Sequence, residues 1–442
     1  MLVNSHELKY ITFSYPPPFT IQLKTHNTIL IVVRCTRWKC EETNLSEDIF
    51  EEELRKPSIF KDESKLSIDY VPSSLPHREK ELRTLVRNFK ILLEKPGSKS
   101  CKMLISGSVG TGKTALAKLF GKLIRNEAQK RGINLHYVHV NCRRDKTEFL
   151  VLKRILHYFN PSFPTRGFSP EELLFALQKT LDSREAFLLI TLDELDFYVK
   201  RSGPELLYDL TRLYEERLNA VQRISLIGIA KDTSWMTLLD SSTLSTLQQN
   251  TLYLARYNAS QLKDILEMRV REAFYEGCVS EEAINLIADI AAEWGDARYS
   301  LELLWRAGKY AEAEGEFRVL PEHVRHAKAE THPVIRREVL LDLPQHHRLL
   351  LLALARKLRK NEKAYVTMGE VEELYHVVCE EYEEKPRGHT QIWNYIHDLE
   401  GCGIITIKLS GSGIRGKTTL ISLPDVPASI LEKELTTLLK GE

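Results

Sequence analysis

The octapeptide Gly107-Ser108-Val109-Gly110-Thr111-Gly112-Lys113-Thr114 restricts this chain more than any other stretch. It matches G-x-x-x-x-G-K-[ST], a loop whose backbone N–H groups cradle phosphates. Upstream, Lys102-Met103-Leu104-Ile105-Ser106 is a short apolar run suited to a buried parallel strand. Downstream, Ala115-Leu116-Ala117-Lys118-Leu119-Phe120 opens a helix. Glycine lets the backbone close tightly round an anion, and the first N–H groups of the helix point at it. In that frame Lys113 meets the β- and γ-phosphates and Thr114 offers its hydroxyl to magnesium. The loop points to a bound nucleoside triphosphate, with ATP, ADP and Mg2+ as the expected ligands.

Other strands frame the loop. His136-Tyr137-Val138-His139-Val140 reads as a second strand, and Arg223-Ile224-Ser225-Leu226-Ile227-Gly228-Ile229-Ala230 as a later one. Phe187-Leu188-Leu189-Ile190-Thr191-Leu192 is a continuous apolar run, as a central parallel strand requires, and it ends in Asp193-Glu194. Ser169-Pro170-Glu171-Glu172 is a capping box with proline at the first helical position, so a helix starts there. Strands alternating with helices predict a doubly wound α/β sheet. An acidic pair often lies on a solvated loop. At the end of a buried strand beside a phosphate loop, however, Asp193 can hold the magnesium shell and Glu194 can polarise an attacking water as general base.

From Asn258 the strands stop, and Ile284, Ile287, Ala288 and Ala291 share one helical face. Pro333 and Pro344 bracket a linker. Helices expected around 346–360, 367–383 and 388–400 then precede Gly403-Ile404-Ile405-Thr406-Ile407 and Thr418-Thr419-Leu420-Ile421-Ser422-Leu423. Three helices and a two-stranded ribbon with a glycine-rich tip describe a winged-helix module. The expected domains are 1–43, an N-terminal extension of uncertain standing; 44–255, the nucleotide-binding domain; 256–332, a helical lid; and 333–442, the winged helix. In the extension, Ile29-Leu30-Ile31-Val32-Val33 suits one strand, and a charged helix is expected from Ser46 to Leu54.

Charge and cysteines narrow the function classes. The net charge of +1 means that any nucleic-acid surface must come from local clustering. The seven cysteines are scattered, without a C-x-x-C pair, which favours reduced thiols in a cytosol and no zinc site. No apolar run approaches the roughly 18 residues of a membrane span.

Asp193-Glu194-Leu195-Asp196, Leu207-Tyr208-Asp209-Leu210-Thr211-Arg212, Gly295-Asp296-Ala297-Arg298, Asp69-Tyr70-Val71-Pro72 and Leu75-Pro76-His77-Arg78-Glu79 together resemble the archaeal origin-recognition initiators, a clade of AAA+ ATPases. The resemblance runs from about residue 45 to 425. It implies an α/β P-loop AAA+ ATPase domain, an α-helical lid domain and a C-terminal winged-helix DNA-binding domain. It also implies that Arg298 reaches the γ-phosphate from the lid, that Tyr257 and Arg269 contact nucleotide, and that Val71 and His77 lie by the adenine. Read without the family, Arg298 is a solvated cation at a helix start, and Tyr257 and Arg269 are core packing and a surface ion pair.

Two positions depart from the family. Lys231 stands where a polar asparagine should orient the hydrolytic water, and lysine cannot accept a hydrogen bond. Ser242 stands where an arginine finger should be, and no Arg or Lys occurs from Asp232 to Ala255. Such a finger can contribute about 10³–10⁵ in rate, so a neighbour's hydrolysis would go unassisted.

For DNA, Arg387 precedes a recognition helix whose Thr390, Gln391 and Asn394 would face the major groove. Lys408, Arg415 and Lys417 make a cationic hairpin suited to phosphates or a minor groove. Arg166, in Asn160-Pro161-Ser162-Phe163-Pro164-Thr165-Arg166-Gly167-Phe168, lies in a loop that resembles the initiator-specific insertion and would press on DNA from the ATPase domain. The expected activity is an ATP-dependent replication initiator that is a slow ATPase, in the cytoplasm with the nucleoid. Its expected partners are double-stranded origin DNA, the minichromosome maintenance helicase and paralogous initiators, with no membrane. A hydrolysis-deficient paralogue that holds ADP is the first rival. A signalling ATPase that uses its winged domain for protein assembly is the second.

Overall fold

The computed structural model describes residues 57–164, 167–214, 220–248, 250–331, 340–341, 343–360, 363–409, 418–423 and 426–440, with Leu54 before them. The expected strand near Ile29 and the charged helix before Leu54 therefore lie outside the described residues. The chain divides between Pro57 and Ser58, and everything below concerns the unit Ser58–Glu442.

Five parallel strands form the central sheet: β1 (Lys102–Ser106), β2 (Leu135–Asn141), β3 (Phe187–Asp193), β4 (Ile224–Ala230) and β5 (Thr251–Tyr253). Their order is β2-β3-β4-β1-β5. Side chains alternate between the two faces of each strand. Leu188, Ile190 and Leu192 accordingly enter one apolar cluster, and Leu189 enters the other. Ile224 and Leu226 join the first, Ile227 and Ile229 the second. Helices cover both faces, which explains why β3 and β4 read as unbroken apolar runs. The capping box at Ser169 and Glu172 starts the helix Pro170–Ser183.

Beside that helix lies a group of acids. Burial raises Glu148 to about 7, and Asp209, Glu171 and Glu205 add to the shift. Asp209 is raised as well, again mainly by burial. Between the ordinary 4.5 and about 7, folded Glu148 keeps a proton that the unfolded chain has lost. Its contribution to stability is therefore complete below 4.5 and is lost as pH rises through 7. Glu148→Gln should match the parent at pH 4.5 and exceed it at pH 8. Because the group is partly exposed, the gain should be no more than about 1 kcal/mol. Denaturant unfolding at both pH values measures it, and equal stabilities at pH 8 would refute the assignment.

The lid consists of helices Ala259–Ala273, Glu281–Ala292, Ala297–Ala313 and Pro321–Thr331. Its core also holds Ile59, Phe60 and Leu66. Phe60 stacks 4.6 Å from Phe274, and the N–H groups of Lys61 and Asp62 donate to the Ala273 carbonyl. The segment from Ser58 to Leu66, grouped by sequence with the nucleotide domain, is thus built into the lid.

The winged domain has helices Gln345–Lys360, Met368–Glu381 and His389–Gly401, as expected within two residues at each end. Its sheet has three strands, β6 (Val366–Thr367), β7 (Thr406–Leu409) and β8 (Thr419–Ser422), in the antiparallel order β6-β8-β7. The expected ribbon lacked β6, which at two residues is too short to show alternation. A fourth helix, Ala428–Lys440, buries Leu431 and Leu435 in the same core.

Lid and winged domain are joined through a buried arginine. Arg325 donates to the carbonyls of Leu423 and Ala364, both at 3.1 Å, and to Glu322 at 3.2 Å. Glu322 in turn accepts from the backbone N–H and hydroxyl of Ser429, each at 3.0 Å. A cleft of about 480 Å³ runs along this joint, lined among others by Lys263, Glu282, Asp289, Tyr365 and Lys408. No helix among the described residues is long and apolar enough to cross a membrane.

Candidate functional site

The phosphate loop joins the carboxyl end of β1 to the N-terminus of helix Lys113–Lys130. Gly110 and Gly112 have φ of 74° and 86°, the left-handed region that glycine tolerates. A Cβ at Gly110 would fall 1.8 Å from Asp296 Oδ1, so only glycine lets the lid come this close. Lys113 Nζ donates to the carbonyls of Gly107 (2.6 Å) and Ser108 (2.7 Å). Burial presses the Lys113 amine below its ordinary value; Arg298 adds to that, while Asp193 and Asp196 oppose it. The charge of Arg298 is therefore felt at the loop, although the residue itself is exposed.

Thr114 Oγ1 donates to Asp193 Oδ2 at 2.7 Å, and the backbone N–H of Glu194 donates to Asp193 Oδ1 at 3.0 Å. His139 Nε2 stands 3.3 Å from the same Oδ2. Burial opposes ionisation of Asp193, but the hydrogen bonds from His139 and Thr114 outweigh it and hold the group below its ordinary value. An ionised carboxylate beside a hydroxyl is a hard-oxygen donor set of the kind Mg2+ takes, so Thr114 and Asp193 fit the ion. Glu194 has φ of 57°, a strained value for a non-glycine residue of the sort that gathers at functional sites. Its Oε2 pairs with Arg143 Nε at 3.0 Å. Lys231 is exposed, and its backbone N–H donates to Asp196 Oδ2 at 3.3 Å.

The lid closes on the loop from the other side. The N–H of Ala297 donates to the Gly110 carbonyl at 3.1 Å, and Asp296 Oδ1 caps the helix through the N–H groups of Arg298 (2.8 Å) and Tyr299 (3.2 Å). Tyr257 is buried beneath Arg78, whose guanidinium lies 4.0 Å from the ring centroid and donates Nε to the tyrosine oxygen at 2.9 Å. The same guanidinium donates to the carbonyls of Thr111 (3.0 Å) and Ala255 (2.7 Å). Arg78 thus ties the loop to the lid entry. His77, with φ of 62°, donates Nε2–H to Asp264 at 2.7 Å, and Val71 lies half-buried in the same segment.

Arg269, expected to contact nucleotide, is engaged with protein groups. It donates to the Lys65 carbonyl at 3.1 Å, stacks 4.8 Å from Tyr70 and faces Glu272, because its side of the lid helix packs on the segment before the nucleotide domain. Ser242 lies in helix Ser241–Gln248, and its side chain is outside the described residues.

On the winged domain, Thr390, Gln391 and Asn394 are exposed, while Ile392, Ile396 and Leu399 hold the helix to the core. Arg387 is exposed and donates Nε to His346 at 3.0 Å. Lys408, expected in the cationic hairpin, is held by the lid: its Nζ donates to Asp289 at 2.6 Å and sits 3.7 Å from the Tyr365 centroid. Its position in β7, facing the lid, is the reason. Arg166, Arg415 and Lys417 lie outside the described residues.

Among the described residues, Glu314, Glu316 and His323 group closely enough to suggest a further metal site. The backbone N–H of Leu320 donates to His323 Nδ1 at 3.0 Å, which leaves the ring proton on Nε2, facing Glu314. That tautomer caps a helix and offers no lone pair to a metal.

Sequence reasoning missed Arg78, His139, Arg143 and Arg256, whose Nε donates to Ser108 Oγ at 3.2 Å. Only the placement of Arg143 just past β2 carried a signal, since Asn141 pairs with Asp193.

Family models match three segments: an AAA domain over residues 99–231, a Cdc6 AAA+ ATPase-type lid domain over 263–329 and a CDC6 C-terminal winged helix domain over 338–433. An ORC1-type DNA replication protein 2 from Sulfurisphaera tokodaii is 38% identical over 403 residues, covering 89% of this chain and 96% of the relative. The crystal structure of Cdc6p from Pyrobaculum aerophilum aligns with a TM-score of 0.75 at 32% identity, covering 87% and 99% of the two chains. The Aeropyrum pernix ORC1 protein, solved in complex with DNA, aligns with a TM-score of 0.57 at 34% identity, covering 86% and 97%.

Proposed function

The chain belongs to the archaeal ORC1-type, or Cdc6, family of DNA replication proteins, and from that premise we propose that it is an ATP-switched initiator. In this reading it binds double-stranded origin DNA and helps load the minichromosome maintenance helicase, alone or with paralogous initiators. One observation carries the reading. The lid that touches the phosphate loop through Ala297 and Asp296 is the same lid that Arg325 fastens to the winged domain. A change at the phosphates therefore has a continuous path to the DNA-facing helix.

Within the pocket, Gly107 to Thr114 wrap the phosphates, and Lys113 exchanges its two carbonyl partners for phosphate oxygens. Bound between Thr114 and Asp193, Mg2+ would neutralise charge developing on the phosphates. Glu194 accepts the proton of the attacking water, and Arg298 meets the γ-phosphate from the lid. One feature favours the ADP-holding alternative: exposed Lys231 occupies the place of a water-orienting amide.

The DNA half of the proposal is tested by titrating the full chain against one candidate origin fragment and one random fragment at several salt concentrations, with ATP and with ADP. Gln391→Ala or Asn394→Ala should cost about 1–3 kcal/mol on the origin fragment alone, as a lost base contact does, and leave the salt slope unchanged. Arg415→Ala with Lys417→Ala should weaken both fragments alike and lower the slope by up to about two, at roughly 0.9 per phosphate contact. Unaltered binding to both fragments in all three variants would remove the winged domain from the account.

A further inference from the structure

Asp193 is held from three directions. Thr114 and His139 meet Oδ2, and the Glu194 N–H meets Oδ1. Thr114 and the Glu194 backbone belong to the phosphate loop and the acidic pair themselves. His139 belongs to neither. It comes from β2, where it pairs with Thr191, so its ring shares the face on which Asp193 emerges two residues later. The side chain is only 17% exposed. Its far edge borders Tyr137, whose hydroxyl donates to the Ala117 carbonyl of the phosphate-loop helix at 3.1 Å. The ring is therefore walled in, with one N–H pointing at the carboxylate.

Resting on the nucleotide reading above, we propose that His139 is a positioning residue: its Nε2–H fixes the Asp193 carboxylate in the orientation that receives Mg2+. A carboxylate held by one hydroxyl alone can swing about its Cβ–Cγ bond. Held by two donors on Oδ2 and one on Oδ1, it presents its one remaining lone pair in a single direction. Outer partners of metal-binding groups act in this way, and their loss lowers metal affinity by about 10–100-fold. His139 reaches Asp193 and Tyr137, and in this proposal it acts through Asp193.

The test uses the full chain and a fluorescent ATP analogue, titrated with MgCl2. His139→Phe keeps the ring volume and removes the N–H, and His139→Gln restores a donor. His139→Phe should raise the Mg2+ concentration for half-maximal binding by about 10–100-fold, with Mg2+-free nucleotide affinity unchanged. His139→Gln should recover most of the shift. An unchanged Mg2+ dependence in His139→Phe overturns the proposal. So does an equal loss of Mg2+-free and Mg2+-dependent binding, which would make the residue merely structural. A parent chain that binds no nucleotide at any Mg2+ concentration overturns the nucleotide reading itself, and this proposal with it.

Discussion

Glu194→Gln is expected to bind ATP as tightly as the parent and to turn it over about 10²–10⁴-fold more slowly, the usual worth of a general base. The amide keeps the size of the side chain but cannot take a proton from water. Its loss of charge breaks the pair with Arg143, yet that arginine is 65% exposed, and an exposed pair contributes about 1 kcal/mol or less. The fold should therefore survive and the effect should appear in turnover alone. Single-turnover hydrolysis with excess protein isolates the step from ADP release. Equal rates in parent and variant, with ADP that exchanges freely, would show that Glu194 is not the base. A parent already at the rate of the variant, with ADP that does not exchange, would instead favour the ADP-holding alternative that Lys231 suggests.

How much of this site could be read in advance follows from where each signal lies. The phosphate loop and Asp193-Glu194 are local patterns, fixed by neighbours in the chain. Strands β3 and β4 announced themselves because burial on both faces forces an unbroken apolar run. The residues that hold the site together lack such signals. Arg78 opens an amphipathic helix and resembles any surface cation, and its burial depends on Tyr257, Thr111 and Ala255 converging on it. His139 alternates correctly within a strand, but its meeting with Asp193 depends on the β2–β3 register. Ile59 and Phe60 stand among Ser58, Lys61 and Asp62, and only the distant Phe274 shows them to be lid core. The pairing of Lys408 left no local signal because its partner Asp289 belongs to another domain.

Arg325→Ala is expected to cost about 3–5 kcal/mol, because it leaves half-buried Glu322 without its counter-charge and two buried carbonyl contacts without a donor. The loss falls on the joint between lid and winged domain and spares both cores, since Arg325 is tied to Leu423 and Ala364 on one side and Glu322 on the other. Thermal unfolding followed by calorimetry should therefore change in shape as well as in midpoint. The winged domain should melt ahead of the lid, whereas the parent is expected to melt both together. Arg325→Met combined with Glu322→Gln supplies the control, for removing both charges and keeping volume is far less costly than removing one. That variant should regain much of the stability and part of the coupling, with Ser422 Oγ still donating to the Ala364 carbonyl at 2.7 Å. If Arg325→Ala melts like the parent, the joint is not held by this residue. The lid could then respond to nucleotide without moving helix His389–Gly401.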